Sequence, residues 1–90
     1  MKNQFPVIHN LIHLNHAAVG PWPQVTSDAV KAFAEQNIQF GSKHYLSWMG
    51  VEKNLRKNCA KLINANSEDE IALVKNTSEG LSFVAYGLAW

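Results

Sequence analysis

A mostly helical chain with one or two short strands is the fold class this sequence predicts, and three observations point to it. Two long stretches, 23–40 and 44–64, carry apolar residues at helical spacing. Between polar flanks lies one short continuous apolar run, Ile71-Ala72-Leu73-Val74, the pattern of a strand covered on both faces. A third helical stripe follows it at once.

Composition agrees with a packed fold and removes several classes of function. The 90 residues are 47% hydrophobic, 17% charged and 10% aromatic, richer in apolar side chains than a disordered segment. The formal charge is +1, without the basic excess that nucleic-acid affinity draws on. No apolar run approaches the roughly 20 residues of a membrane span, and residues 1–15 lack a signal peptide's pattern. A single cysteine rules out an internal disulfide framework. The expectation is one small cytoplasmic piece, with neither nucleic acid nor membrane as partner.

The elements follow in order. Residues 1–22 read as an arm and a turn: Val7 to Leu14 as an extended arm or short strand, then Gly20-Pro21-Trp22-Pro23 as a rigid corner. Pro23 suits the first turn of a helix, where a missing N–H costs nothing. The first helix is expected from Pro23 to Phe40, with Val25, Ala29, Phe33 and Gln36 on one stripe and Val30, Ala34 and Ile38 on another. Two stripes call for neighbours on more than one side. Gly41 ends the helix. A second helix is expected from His44 to Asn64, with Tyr45, Trp48, Val51, Leu55, Cys59 and Leu62 on one face and Glu52, Lys53, Arg56 and Lys57 opposite. Together the two helices occupy 23–66. Residues 67–90 then hold the strand Ile71–Val74 and a helix starting near Thr77 or Ser78, marked by Leu81, Val84, Ala85 and Leu88. A strand covered on both faces needs partners, and the chain offers almost none. It should lie at an edge, or pair with the arm or with a second copy of the chain.

Lys75-Asn76-Thr77-Ser78-Glu79-Gly80 joins strand to helix. Free backbone N–H groups and the positive end of the helix dipole face one point there. Thr77 and Ser78 add two hydroxyls, and Gly80 keeps a side chain out of the first turn. These are the ingredients of a phosphate cradle. They are also those of an ordinary cap, with Asn76 or Thr77 as N-cap, and on these features alone the cap is the commoner use. The glycines of a Walker loop or dinucleotide fingerprint are absent.

Two separated segments bear on that choice. Leu14-Asn15-His16-Ala17-Ala18-Val19-Gly20-Pro21 resembles the N-terminal signature of the class V aminotransferases, pyridoxal 5'-phosphate (PLP) enzymes that include cysteine desulfurases, selenocysteine lyases and isopenicillin N epimerase-like proteins. Glu70 to Gly80 resembles the same family's segment ending in Thr-Thr/Ser-Glu-Gly. Between them, Gly41-Ser42-Lys43-His44-Tyr45-Leu46-Ser47 looks like a family loop with one extra residue before the histidine, and Arg56 falls where the second helix usually carries an arginine. The likeness covers residues 14–90 in order.

The resemblance implies the N-terminal part of the α/β PLP-dependent transferase (fold type I) architecture, with 67–90 as first strand and phosphate-side helix of its large domain. It implies PLP as cofactor, an amino acid as substrate, and transferase or lyase chemistry; the Gly41–Ser47 segment leans toward cysteine desulfurase. By the same likeness Thr77 and Ser78 bind the cofactor's phosphate, while Ala17, Ala18 and His44 lie near the substrate. The family's Schiff-base lysine, its ring partners and its substrate-binding arginine match nothing in this chain, so no catalytic residue is expected within it. None of the seven lysines corresponds to the first of these. The chain is thus expected to bind PLP weakly by itself and to work with the remainder of an enzyme or a second copy, as in a dimer. A different class stays open: a stand-alone helical interaction module with no catalytic activity.

Other features have plainer readings. His9, His13 and His16 are spaced for one helix face, yet no carboxylate or thiol stands near to complete a zinc site, and no metal is expected. Cys59 sits within an apolar stripe and reads as a small buried side chain rather than a nucleophile. Trp22, Trp48, Trp90, Phe33 and Phe40 read as core or interface rings.

Overall fold

The computed structural model describes residues 2–89. Short 3-10 turns at Lys2–Gln4 and Pro6–His9 precede α1 (Gln24–Phe40) and α2 (Tyr45–Ile63). A further 3-10 turn, Glu68–Glu70, leads to α3 (Thr77–Gly87). The described residues contain no strand, and no helix among them is long and apolar enough to cross a membrane. They form two compact units, one up to His44 and one from Tyr45 onward.

In the first unit the arm coils where an extended segment was expected. Pro6 occupies the first turn of the 3-10 segment, and the backbone closes on itself through Ile8 N–H to Phe5 C=O at 3.2 Å and Asn10 N–H to Val7 C=O at 3.0 Å. The Asn10 side chain adds a donor to the Pro6 carbonyl at 3.3 Å. With no strand beside it, a backbone satisfies its polar groups locally, and a proline with fixed φ starts that turn readily.

Helix α1 begins one residue later than expected. Pro23 is its N-cap, in extended conformation, and its carbonyl receives the N–H groups of Thr26 and Ser27 at 3.0 and 3.3 Å. The Val25 N–H reaches Gln4 Oε1 at 3.4 Å, tying the first 3-10 turn to the helix start. Neither apolar stripe is covered within this unit: Phe33 is 49% and Ile38 79% exposed. Gly41 closes the helix at φ +56°, ψ −124°, donating to Asn37 C=O at 2.8 Å.

The second unit is organised by α2. Its C-terminus turns on Asn64, whose φ of +58° is left-handed. Ala65 N–H bonds Ala60 C=O at 2.8 Å, and Asn64 N–H bonds Lys61 C=O at 3.3 Å. That pair is a Schellman closure with asparagine in place of the usual glycine. The 3-10 turn Glu68–Glu70 then packs back on α2. Ser67 caps it through Oγ to Asp69 N–H at 3.1 Å, and Glu70 holds Asn66 N–H at 3.0 Å. Ala60 is the one buried apolar residue among those described, and Cys59 beside it is half-buried rather than enclosed.

Gly50 lies inside α2 with open space where a Cβ would stand. Gly50→Ala is therefore expected to stabilise this unit by about 0.5–1 kcal/mol, because alanine loses less backbone freedom in a helix. Thermal unfolding followed by circular dichroism checks the sign.

The run 71–74 is not a strand. Ile71 has extended φ and ψ of −108° and 117°, so the local conformation is that of a strand, but no ladder forms. A strand is a paired object: its N–H and C=O groups need a neighbour, and the arm proposed as one is coiled at Pro6–His9.

Candidate functional site: the start of helix α3

The junction expected as cap or cradle is built around Asn76. Its backbone is extended (φ −162°, ψ 172°), and its Oδ1 accepts the Glu79 N–H at 2.9 Å. Its carbonyl receives the Gly80 N–H at 3.2 Å. A helix leaves its first N–H groups without intrahelical acceptors. Here Asn76 takes those of Glu79 and Gly80. Among the described residues no acceptor meets the N–H groups of Thr77 and Ser78. Both residues are exposed, so two adjacent amides and two hydroxyls stand open at the positive end of an 11-residue helix.

Cap and cradle are thus separate residues. Asn76 caps, which answers the choice left between Asn76 and Thr77 and frees the following pair. Glu79 completes the arrangement from the other side: its Oε2 accepts the Lys75 N–H at 2.7 Å, and its Oε1 lies 3.7 Å from Lys75 Nζ. By residue type and position alone, Glu79 would only favour the helix dipole. The spacing Asn76-x-x-Glu79 is that of a capping box, but the return bond goes to the Lys75 N–H, one residue ahead of the cap, rather than to that of Asn76. Gly80 faces Val74, where a Cβ would meet Val74 Cγ2 at 3.5 Å, an ordinary contact.

The donor set suits a phosphate monoester. Its oxygens accept several hydrogen bonds and carry the negative charge a helix start favours, and the donors are of the two kinds that serve phosphates elsewhere, backbone amide and hydroxyl. Lys75, the nearest lysine in sequence, is 86% exposed with its ammonium toward Glu79.

The remaining expected site residues lie in the first unit. Asn15 C=O receives the N–H groups of Ala18 and Val19 at 3.3 and 3.4 Å, so Ala17 and Ala18 sit on a tight exposed turn. That turn is braced by His13, whose Nε2 is 3.1 Å from Val19 O and whose ring stands edge-on to His16 at 4.7 Å. No group of three His, Cys, Asp or Glu is gathered as a metal ion would need among the described residues. His44 is half-buried, its ring perpendicular to Phe40 at 5.5 Å, with Lys43 Nζ also 5.6 Å from that ring. Trp90, expected among the interface rings, lies outside the described residues.

In the second unit Arg56 pairs with Glu52 at 3.0 Å along α2. It lines an open pocket of about 400 Å³ with Met49, Gly50, Lys53, Glu68 and Asp69. Its Nε is shielded and meets no hydrogen-bond acceptor. The sequence marked this arginine only by its place on the helix; the pocket arises because the turn Glu68–Glu70 folds back.

The family described as aminotransferase class-V matches residues 12–90. Along its whole length the chain is 31% identical to a probable cysteine desulfurase of Streptomyces coelicolor, and over 94% of its length 30% identical to a cysteine desulfurase of Salmonella newport. It spans 24% and 23% of the lengths of those relatives. No solved structure matches it.

Proposed function

Because the chain belongs to the class V aminotransferase family, we propose that it is the phosphate-holding N-terminal portion of a PLP-dependent enzyme acting on an amino acid, of the cysteine desulfurase kind. The observation that carries this reading is the pair of open amides at Thr77 and Ser78, isolated by the Asn76 cap at the place where the resemblance puts the cofactor's phosphate. Thr77 and Ser78 hold that phosphate through their N–H groups and one hydroxyl. PLP, when bound, supplies an electron-withdrawing ring that weakens the bonds of an amino acid's α-carbon.

The chain's other residues take supporting parts. Ala17 and Ala18 present almost no side chain on an exposed turn, so a substrate can approach the backbone closely. His44 is positioned by Phe40, which stands perpendicular to its ring, and offers a ring nitrogen for hydrogen bonding. The carrier lysine, the ring partners and the substrate-carboxylate arginine come from polypeptide outside these 90 residues. In that setting 71–74 finds partner strands and 67–90 becomes the edge of the cofactor domain.

Titration with inorganic phosphate, followed by amide chemical shifts, tests the site directly. Shifts confined to Thr77, Ser78 and their neighbours are expected, with a dissociation constant that weakens as salt rises. A chain that ignores phosphate and PLP even at tens of millimolar leaves the junction as a cap alone and favours the stand-alone interaction module.

A further inference from the structure

We propose that Glu79 is a positioning residue for the phosphate site, and that it acts through a hydrogen bond rather than through its charge. The inference rests on the cofactor reading of Thr77 and Ser78 and adds a residue to it. Three hydrogen bonds and one loose ion pair cross between residues 75 and 80. Asn76 Oδ1 takes the Glu79 N–H and Asn76 C=O takes the Gly80 N–H. Glu79 Oε2 takes the Lys75 N–H at 2.7 Å, and Glu79 Oε1 pairs loosely with Lys75 Nζ at 3.7 Å. The Lys75 N–H ahead of this pair and the Glu79 and Gly80 N–H groups after it are thereby occupied. A phosphate arriving at the junction finds two donors held in fixed directions instead of a frayed helix end.

The charge of a carboxylate acts both ways there, favouring the helix dipole but opposing an anionic ligand. Glu79 directly follows Ser78 and is two residues from Thr77, and its negative charge repels an incoming phosphate. Lys75 offsets this little, since its side chain is 86% exposed and its ammonium is screened by water. The Glu79 carboxylate, in contrast, is 26% exposed and fastened to backbone. For an anionic ligand the charge of Glu79 is a cost, so what it brings to the site is its bond to the Lys75 N–H. Its effect is to keep Lys75 from turning, and so to keep the chain entering α3 in one conformation.

Two substitutions separate the bond from the charge. Glu79→Gln keeps an oxygen for the Lys75 N–H and removes the charge; it is expected to bind inorganic phosphate as tightly as the parent chain or roughly two- to five-fold more tightly. Glu79→Ala removes both; it is expected to bind roughly three- to ten-fold more weakly despite the lost repulsion, and its Lys75 amide is expected to exchange hydrogen roughly ten-fold faster. Phosphate affinity comes from amide shifts at Thr77 and Ser78, with helix content followed by circular dichroism. Should Glu79→Ala lose helix α3, the Gln variant still decides: weaker phosphate binding in Glu79→Gln with intact helix overturns the proposal. So does an Ala variant that stays helical and binds as the parent does. A parent chain without any phosphate response, but with a protected Lys75 amide, overturns the cofactor reading and this proposal with it. A responding parent with either of the contrary variants overturns the proposal alone.

Discussion

Thr77→Pro is expected to weaken phosphate binding at the start of α3 by at least about ten-fold while leaving the helix in place. Hydrogen bonds to a charged acceptor contribute about 1.5–3 kcal/mol each, and the substitution deletes one of two open amides. It does so with little structural cost. Thr77 is the first helical residue, the position where proline's missing N–H and fixed φ are best tolerated. The residue before a proline must be extended, and Asn76 already is, at φ −162° and ψ 172°. The Asn76 cap on Glu79 N–H involves neither changed atom. Thr77→Val is the companion variant: it keeps the amide and loses the hydroxyl, so the two together apportion the site. Ser78 amide shifts on phosphate addition, with far-UV circular dichroism for the helix, read the result. A proline variant that binds as well as the parent would remove Thr77 N–H from the site.

The second large effect is expected at Gly41. Its φ of +56° with ψ of −124° lies outside even the left-handed helical region open to asparagine, so any side chain is strained there. Gly41→Val is expected to cost about 1–3 kcal/mol and to be relieved by unwinding the last turn of α1. The bond from residue 41 N–H to Asn37 C=O breaks with it, and the perpendicular packing of His44 on Phe40 is lost. Hydrogen exchange at residue 41 and the nuclear Overhauser contact between the two rings measure both changes. Retention of that contact at full strength would show that His44 is held by something other than this turn.

Much of the helical framework was legible because helices are local. Pro23, Gly41 and the break after Asn64 bounded α1 and α2 to within a residue, since capping and left-handed backbone are decided by a few neighbouring atoms. The start of α3 at Thr77 was legible for the same reason. The run 71–74 was misread: its apolar pattern describes a strand in company, and pairing depends on a partner that composition cannot supply. The arm failed differently, because Pro6 starts a 3-10 turn that leaves no trace in hydrophobic spacing. Of the proposed site residues, Thr77 and Ser78 stand out by residue type and position alone. The return bond of Glu79 was missed because a helix-favouring acid and a capping acid look identical until the side chain's direction is known. The pocket beside Arg56 depends on the fold-back of Glu68–Glu70 onto α2, which no single segment encodes.

The bonds that shape both units also bear on when this segment takes form. The closures at Asn15, Gly41, Asn64 and Asn76 join residues three to five apart, and the Val25–Gln4 tie spans 21. Loops of that size close in well under a millisecond, whereas a ribosome adds about 5–20 residues per second. Helix starts and stops of this kind are set while the next codons are still being read. The cap of Asn76 on the Glu79 N–H, joining residues three apart, is a closure of this kind, so the direction of the Thr77 and Ser78 amides is set by local contacts rather than by a final collapse.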